Sequence, residues 1–308
     1  MEKTEGVHSH APLNTVFGFI AIACWSSTIA FTRTASEFLG PVTMGAFMFL
    51  VAGVAGCALL ALQRGGLVSA LKLPPAYLLG CGALFVCCEL GLCLAVGRAV
   101  TRQQVLEVSV INYLWPGLTL LFSVWILKRR ARLWLMPGVV IALTGVLLAM
   151  SHEGRLSWSG LAEGFLSAPA PYLLALGAAV SWGLYSNLSR RWAGNGGSTG
   201  VPFFFLATAG AFFLLRLFVA EQPQWSPRAL WELLFLALVP NLLGYTCWDL
   251  AMRNGRIILV AAFSYLTPVL SMFVSSLRLG IRPGLTLWVA CAMVVVGAVV
   301  CKLSISDD

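Results

Sequence analysis

Apolar stretches of membrane-spanning length recur along the whole chain, separated by short polar turns. About 20 apolar residues in a helix cross a bilayer. The pattern therefore predicts spans at 14–33, 42–62, 76–97, 105–127, 133–151, 171–192, 201–219, 229–252, 257–278 and 284–303. The turns carry Pro and Gly, as between Arg64 and Pro75 or Glu221 and Pro227. The longest, 152–170, falls near the midpoint and reads as a hinge between two halves, 1–155 and 156–308.

Two of the apolar runs echo each other. Asn112-Tyr113-Leu114-Trp115-Pro116 aligns with Ser264-Tyr265-Leu266-Thr267-Pro268 at a shift of 152. The same shift pairs Gly145 with Gly297, and Glu89 with Asn241. A shift of 157 pairs Trp25 with Trp182 and Arg33 with Arg190. In the first run Asn112, Trp115, Thr119 and Ser123 keep to one helix face, as do Ser264, Thr267, Ser271 and Ser275 in the second. Lipid favours Leu or Val there, so each half carries a polar-striped helix with a proline near its middle. Five spans per half make the second copy enter the membrane from the opposite side, the inverted-repeat plan of many secondary transporters. The expected fold is an all-α integral membrane protein of ten transmembrane helices, two inverted five-helix repeats around a central cavity.

Composition supports the membrane assignment. Of 308 residues, 59% are hydrophobic and only 10% charged, with mean hydropathy +0.88. Soluble domains carry about 25% charged residues. The net charge of +8 suggests nucleic acid at first sight, but the basic residues sit at span ends and read as topology signals. They favour the side holding both termini, led by Lys128, Arg129, Arg130 and Arg132. Positive-inside places both termini in the cytoplasm, in a bacterial-type inner membrane. The nine cysteines fall in or beside apolar runs, where they read as small packing residues; no metal-ligand spacing occurs.

Candidate chemistry is sparse. Glu89 sits mid-span, where a carboxylate is costly, so it serves a substrate amine or proton, or else is a protonated acid bonded between helices. Glu107 lies one turn into its span; it is a candidate for ion coupling, or else meets Arg98 or Arg102. Asp249 has the simpler account of an i, i+4 pair with Arg253. Trp25, Trp115 and Trp182 lie near mid-span instead of at the interface. Their N–H groups need acceptors, which a cavity supplies, and their faces suit an apolar substrate; the plainer account is packing. Pro116, Pro240 and Pro268 bend their spans and are the candidate hinges. The stripes are cavity walls or helix-packing contacts. No hydrolase triad, zinc motif or Walker loop appears, so neither an enzyme nor an ATP-driven pump is expected, and no cofactor.

These features resemble the drug/metabolite transporter superfamily, in its ten-helix branch with EamA-type repeats. The likeness is carried by Leu39-Gly40-Pro41-Val42, by Glu107-Val108 through Asn-Tyr-Leu-Trp-Pro, and by Ser264 through Ser271. It covers nearly the whole chain, and within the superfamily it points to the amino acid exporters. The resemblance implies export of aromatic and other neutral amino acids through a central cavity. From the residues themselves, the candidates for substrate contact are Trp25, Glu89, Asn112, Trp115, Trp182, Tyr265, Thr267 and Ser271. One departure is clear. Many members end the fourth and ninth spans with Leu-Gly-Glu, whereas this chain has Leu127-Lys128-Arg129 and Leu279-Gly280-Ile281, so coupling through that acid does not carry over. The expected partners are an amino acid and the lipid bilayer, with no nucleic acid, and the carrier is expected to be a monomer. Efflux of drugs or other metabolites is the second reading. A scaffold without transport is the third, and paired prolines and a buried Glu89 would be wasteful in it.

Overall fold

A computed structural model describes residues 11–63, 65–126, 128, 132–149, 166, 168–193, 199–254, 264 and 266–304. All regular structure among them is helical. The helices are α1 (Ala11–Ser26), α2 (Thr28–Leu39), α3 (Pro41–Leu62), α4 (Gly66–Leu71), α5 (Gly82–Arg98), α6 (Arg102–Asn112) and α7 (Trp115–Ile126). After these come α8 (Leu135–Ala149), α9 (Pro169–Trp192), α10 (Val201–Arg216), α11 (Pro227–Leu236), α12 (Gly244–Asn254), α13 (Thr267–Leu279) and α14 (Leu285–Leu303). A π-helical turn, Ala76–Cys81, leads into α5, and another, Ala237–Leu243, joins α11 to α12.

Among the described residues six helical runs are long and apolar enough to cross a membrane: Val16–Leu39, Pro41–Leu62, Ala76–Arg98, Arg102–Ile126, Pro227–Trp248 and Leu285–Leu303. The outer surface agrees with that assignment. Leu62, Leu79, Phe218, Leu277 and Leu285 are all largely exposed, an apolar skin that water would drive to aggregate and lipid accepts. Inside, Phe49, Phe85, Phe204, Phe205 and Phe212 fill one core and Val105, Leu106, Ile111 and Val294 another.

The first span differs from expectation. It runs on to Leu39 instead of ending near Arg33, and it breaks at Ser27. The Ser27 hydroxyl and its N–H both bond the Cys24 carbonyl, which tightens that turn. The extension is held by charge pairs: Arg33 to Glu37 at 2.9 Å and Arg102 to Glu37 at 2.7 Å. The break in the fourth span comes at Tyr113–Leu114, just before Trp115 and Pro116. Proline is well placed there, since the first turn of a helix has no use for its missing N–H. Pro268 holds the same place in α13. The expected hinge at 152–170 and the stretch 255–263 lie mostly or wholly outside the described residues, as do His8, His10 and His152.

Helix pairing is ordered. The most extensive contacts are α8 with α14, α3 with α10, α5 with α9, and α1 with α12. Between α8 and α14 the match is reciprocal. A Cβ on Gly145 would lie 2.8 Å from the Ala290 carbonyl and 3.1 Å from the Val294 nitrogen. A Cβ on Gly297 would lie 2.6 Å from both the Gly138 carbonyl and the Ala142 nitrogen. Gly145 and Gly297, Gly138 and Ala290, and Ala142 and Val294 are each 152 apart. Each helix thus offers the other the same patch, the contact that a two-fold axis between antiparallel helices produces.

Candidate functional site

The site is a cavity of about 80 Å³ at the centre of the helices. Trp25, Thr28 and Ile29 enter it from the first span, and Cys88, Glu89 and Leu92 from α5. Asn112, Tyr113 and Trp115 come from the break between α6 and α7, Trp182 from α9, and Thr267 from the start of α13. Pro240, Asn241 and Tyr245 complete it from the second π-turn and α12. Three lining pairs are the repeat partners noted in the sequence, Trp25 and Trp182, Glu89 and Asn241, Trp115 and Thr267, and Cys88 and Pro240 are a fourth at the same shift of 152. The cavity therefore lies where the two halves' equivalent helices face each other, while the α3–α10 and α8–α14 pairs stand outside it.

Backbone irregularity builds much of the wall. Pro240 has no N–H, so the Leu236 carbonyl loses its helical donor. The Asn241 side chain replaces it, donating Nδ2 to that carbonyl at 2.8 Å. The Pro240 carbonyl in turn accepts the Trp25 indole N–H at 3.1 Å. Trp25 thus finds its acceptor at the cavity wall, on a carbonyl of the π-turn.

Glu89 is 7% exposed and accepts a hydrogen bond from the Tyr245 hydroxyl. Around this pair the rings close into one cluster. Trp25 contacts Trp182 at 6.2 Å, Tyr245 at 5.2 Å and Trp248 at 5.0 Å between centroids, and Trp115 contacts Trp182 at 6.2 Å. Phe85, one turn before Glu89, packs on Trp182 and Tyr245. Most of these contacts are edge-on or tilted, the arrangements that ring quadrupoles favour.

Of the other expected site residues, Ser271 is fully buried but stands outside the cavity, beside Tyr113. Pro116 and Pro268 are also off the lining, whereas Pro240 is on it. Tyr265 and the side chain of Asp249 lie outside the described residues. Glu107 is not on the lining. It accepts the Tyr172 hydroxyl at 2.6 Å, while Arg102, one of its expected partners, binds Glu37. Below Trp115 the first stripe is packing: Thr119 bonds the Trp115 carbonyl, and Asn187 of α9 donates to the Thr119 carbonyl at 2.8 Å.

Sequence reasoning missed Tyr245 and Thr28. Both had a readable cue. Tyr245 is one helical turn after Asn241, the repeat partner of Glu89, and Thr28 is three residues after Trp25, on the same face.

A layer of charges lies beyond the cavity along α2. Glu232, fully buried, is paired with Arg278 and with Arg228 at 3.2 Å, and accepts the Thr34 hydroxyl at 2.5 Å. Arg278 also stacks over Phe31 at 4.8 Å. Beside it, Arg33 donates to the Ala99 carbonyl at 2.6 Å and Arg102 to the Leu279 carbonyl at 3.2 Å. Together with the Glu37 pairs these contacts bind α2, α5, α6, α11 and α13. Thr34 is five residues beyond the cavity residue Ile29, about 8 Å along a helix.

The EamA-like transporter family matches residues 14–151 and again 170–302. The chain belongs to the EamA-like transporter family. It is a multi-pass membrane protein, and the double match is the duplication seen in the paired cavity residues. Relatives in this family include the aromatic amino acid exporter YddG of Salmonella typhimurium, 33% identical over 94% of this chain and 97% of its own length. YddG of Escherichia coli K12 is 31% identical over 94% and 97%. YddG of Ancylobacter novellus is 31% identical over 94% and 96%. A solved crystal structure aligns with a TM-score of 0.67 at 29% identity, covering 95% of this chain and 97% of its own.

Proposed function

We propose that this transporter exports amino acids, aromatic and other neutral ones, from the cytoplasm by alternating access. The observation that carries this reading is the aromatic cavity with Glu89 at its wall, formed by equivalent helices of both halves. The relatives named for aromatic amino acid export agree with it. The proposed halves are 1–155 and 156–308, inverted in the membrane, with both termini in the cytoplasm of a bacterial-type inner membrane. The reciprocal α8–α14 contact supports the inversion.

Alternation is supported by the size of the site. A cavity of about 150 Å³ takes up benzene, and this one is about 80 Å³. An aromatic side chain needs the indoles to part. Opening toward one side requires the Glu232 and Glu37 layers to separate, and Pro116, Pro240 and Pro268 are the bends about which the halves move. Glu89 is the proposed substrate or proton site, and Glu107 a secondary one for ion coupling. The apolar, aromatic lining favours efflux of hydrophobic compounds as a second reading. Efflux of labelled amino acids from proteoliposomes, with and without a pH gradient, tests the first. Movement of hydrophobic dyes but of no amino acid would establish the second.

A further inference from the structure

Hydroxyls on these helices normally bond back to a carbonyl of the preceding turn. Ser26 does so to Ile22, Thr119 to Trp115, Ser186 to Trp182 and Ser276 to Met272. Among the described residues Thr28, Thr267, Ser271 and Ser275 depart from the rule, and of these Thr28 and Thr267 stand at the cavity. Both hydroxyl oxygens are buried without a hydrogen-bond partner among the described residues. Thr267 is 2% exposed. A buried hydroxyl left unpaired is costly, so two of them on one cavity wall mark the place of a polar group that the protein alone does not supply.

The character of that group follows from the surroundings. Thr267 is the first residue of α13, at the positive end of that helix's dipole. Such a terminus at mid-membrane favours an anionic group. Among the described residues no Lys, Arg or His lines the cavity to compete for an anion. Its one acid, Glu89, is contributed by α5 together with its donor Tyr245 from α12. The cavity wall therefore carries hydroxyl donors at Thr28 and Thr267 and an acid at Glu89, with indoles beside them.

On the amino acid exporter reading above, we propose that the substrate binds in one orientation. Its carboxylate lies at Thr267 and Thr28 before α13, and its ammonium lies at Glu89. The site then selects α-amino acids with both ends free. An amine lacking the carboxylate and an acid lacking the ammonium each lose one anchor. This goes beyond the aromatic preference, because it assigns recognition of the backbone to residues separate from the rings.

The test is competition against labelled L-phenylalanine in proteoliposomes of the full-length protein. The competitors are L-phenylalanine, L-phenylalaninamide and 3-phenylpropionate. Wild type should prefer L-phenylalanine over either analogue by about tenfold, one charged hydrogen bond's worth. Thr267→Val should bring phenylalaninamide within about twofold of phenylalanine yet keep the discrimination against phenylpropionate. Glu89→Gln should do the reverse. Thr267→Ser, which keeps the hydroxyl, should restore the wild-type order and shows that lost discrimination is not lost folding. If Thr267→Val and Thr28→Val both keep the full preference over the amide, the carboxylate sits elsewhere and the orientation is overturned. If wild type itself fails to take up phenylalanine or any other amino acid, the exporter reading falls first and this orientation with it.

Discussion

The indole N–H of Trp25 donates to the carbonyl of Pro240 at 3.1 Å, across 215 residues of sequence. It ties the first span to the irregular turn of the eighth predicted span, and so crosses between the proposed halves. Trp25→Phe keeps a ring in the cluster and deletes that donor. The bare carbonyl should cost about 1 kcal/mol, read as a lower melting temperature in detergent. Trp25→Ala should cost more, since it also removes contacts with Trp182, Tyr245 and Trp248. Equal melting of Trp25→Phe and wild type would show that water satisfies the carbonyl.

Glu89 and Tyr245 should behave as one unit. Glu89→Gln and Tyr245→Phe are each expected to reduce transport, and the double variant should do little further harm. The coupling between them should fall in the range of about 0.5–3 kcal/mol found for residues in direct contact. Initial efflux rates of the four proteins at matched amounts measure it; simple additivity would separate the two roles.

Trp115 and Pro116 are neighbours with different expected failures. Trp115 faces the cavity, so Trp115→Ala should weaken apparent affinity for aromatic substrates more than for small ones, by roughly 0.5–1.5 kcal/mol beyond lost area. Pro116 sits in the first turn of α7, off the lining, and Pro116→Ala should slow turnover with little change in affinity. Saturation curves for phenylalanine and alanine in both variants give the comparison. A large affinity loss in Pro116→Ala would make the proline part of the cavity wall.

Much of this arrangement could be read from the chain beforehand, and the limits of that reading are physical. Pattern located the six long apolar runs of spanning length among the described residues, because lipid demands such runs, and duplication leaves matched landmarks such as Trp25 and Trp182. Glu89 was conspicuous because charge is rare at that depth. Its donor Tyr245 was not, because a tyrosine in an apolar run has several ordinary uses and only the tertiary contact selects one. The polar stripe divided for a similar reason. Trp115 and Thr267 reach the cavity at helix starts, while Thr119 one turn on is taken up by Asn187 from α9. Periodicity gives the face of a helix but not what another helix lays against it.

The charge layer should carry stability as well as closure. Glu232→Gln preserves shape but leaves Arg278 half-buried without its counter-charge. A loss near 3 kcal/mol, the low end for breaking a buried pair, is expected. Arg228→Ala should cost well under 1 kcal/mol, since that side chain is 60% exposed. Thermal melts of the two variants decide. A second readout, labelling of a cysteine placed at Ile29 by a reagent confined to that side, should increase in Glu232→Gln if the layer closes the cavity.

Gly297→Val should be the most damaging of the packing changes, because a Cβ there meets backbone atoms at 2.6 Å that cannot swing aside. An overpacking cost of about 1–3 kcal/mol or more is expected. Gly177→Val, where a Cβ meets nothing within 4 Å, is the control. Similar melting of both variants would mean that α8 and α14 separate easily.

Glu89 and Asn241 hold equivalent places but differ in kind: one is an acid bonded to another helix, the other an amide spent on its own. Were the halves identical, the outward- and inward-facing forms would be mirror partners of equal free energy, and an unloaded carrier would rest evenly between them. This pair removes that equality. Moving the pivot past Glu89 breaks or strains a bond between helices, whereas moving it past Asn241 leaves an internal repair intact. In a carrier that alternates as proposed above, this pair would give the empty protein a preferred resting side. A bias of 1.4 kcal/mol suffices for about a tenfold population difference, so the direction in which such a carrier returns unloaded can turn on which repeat partners fail to match.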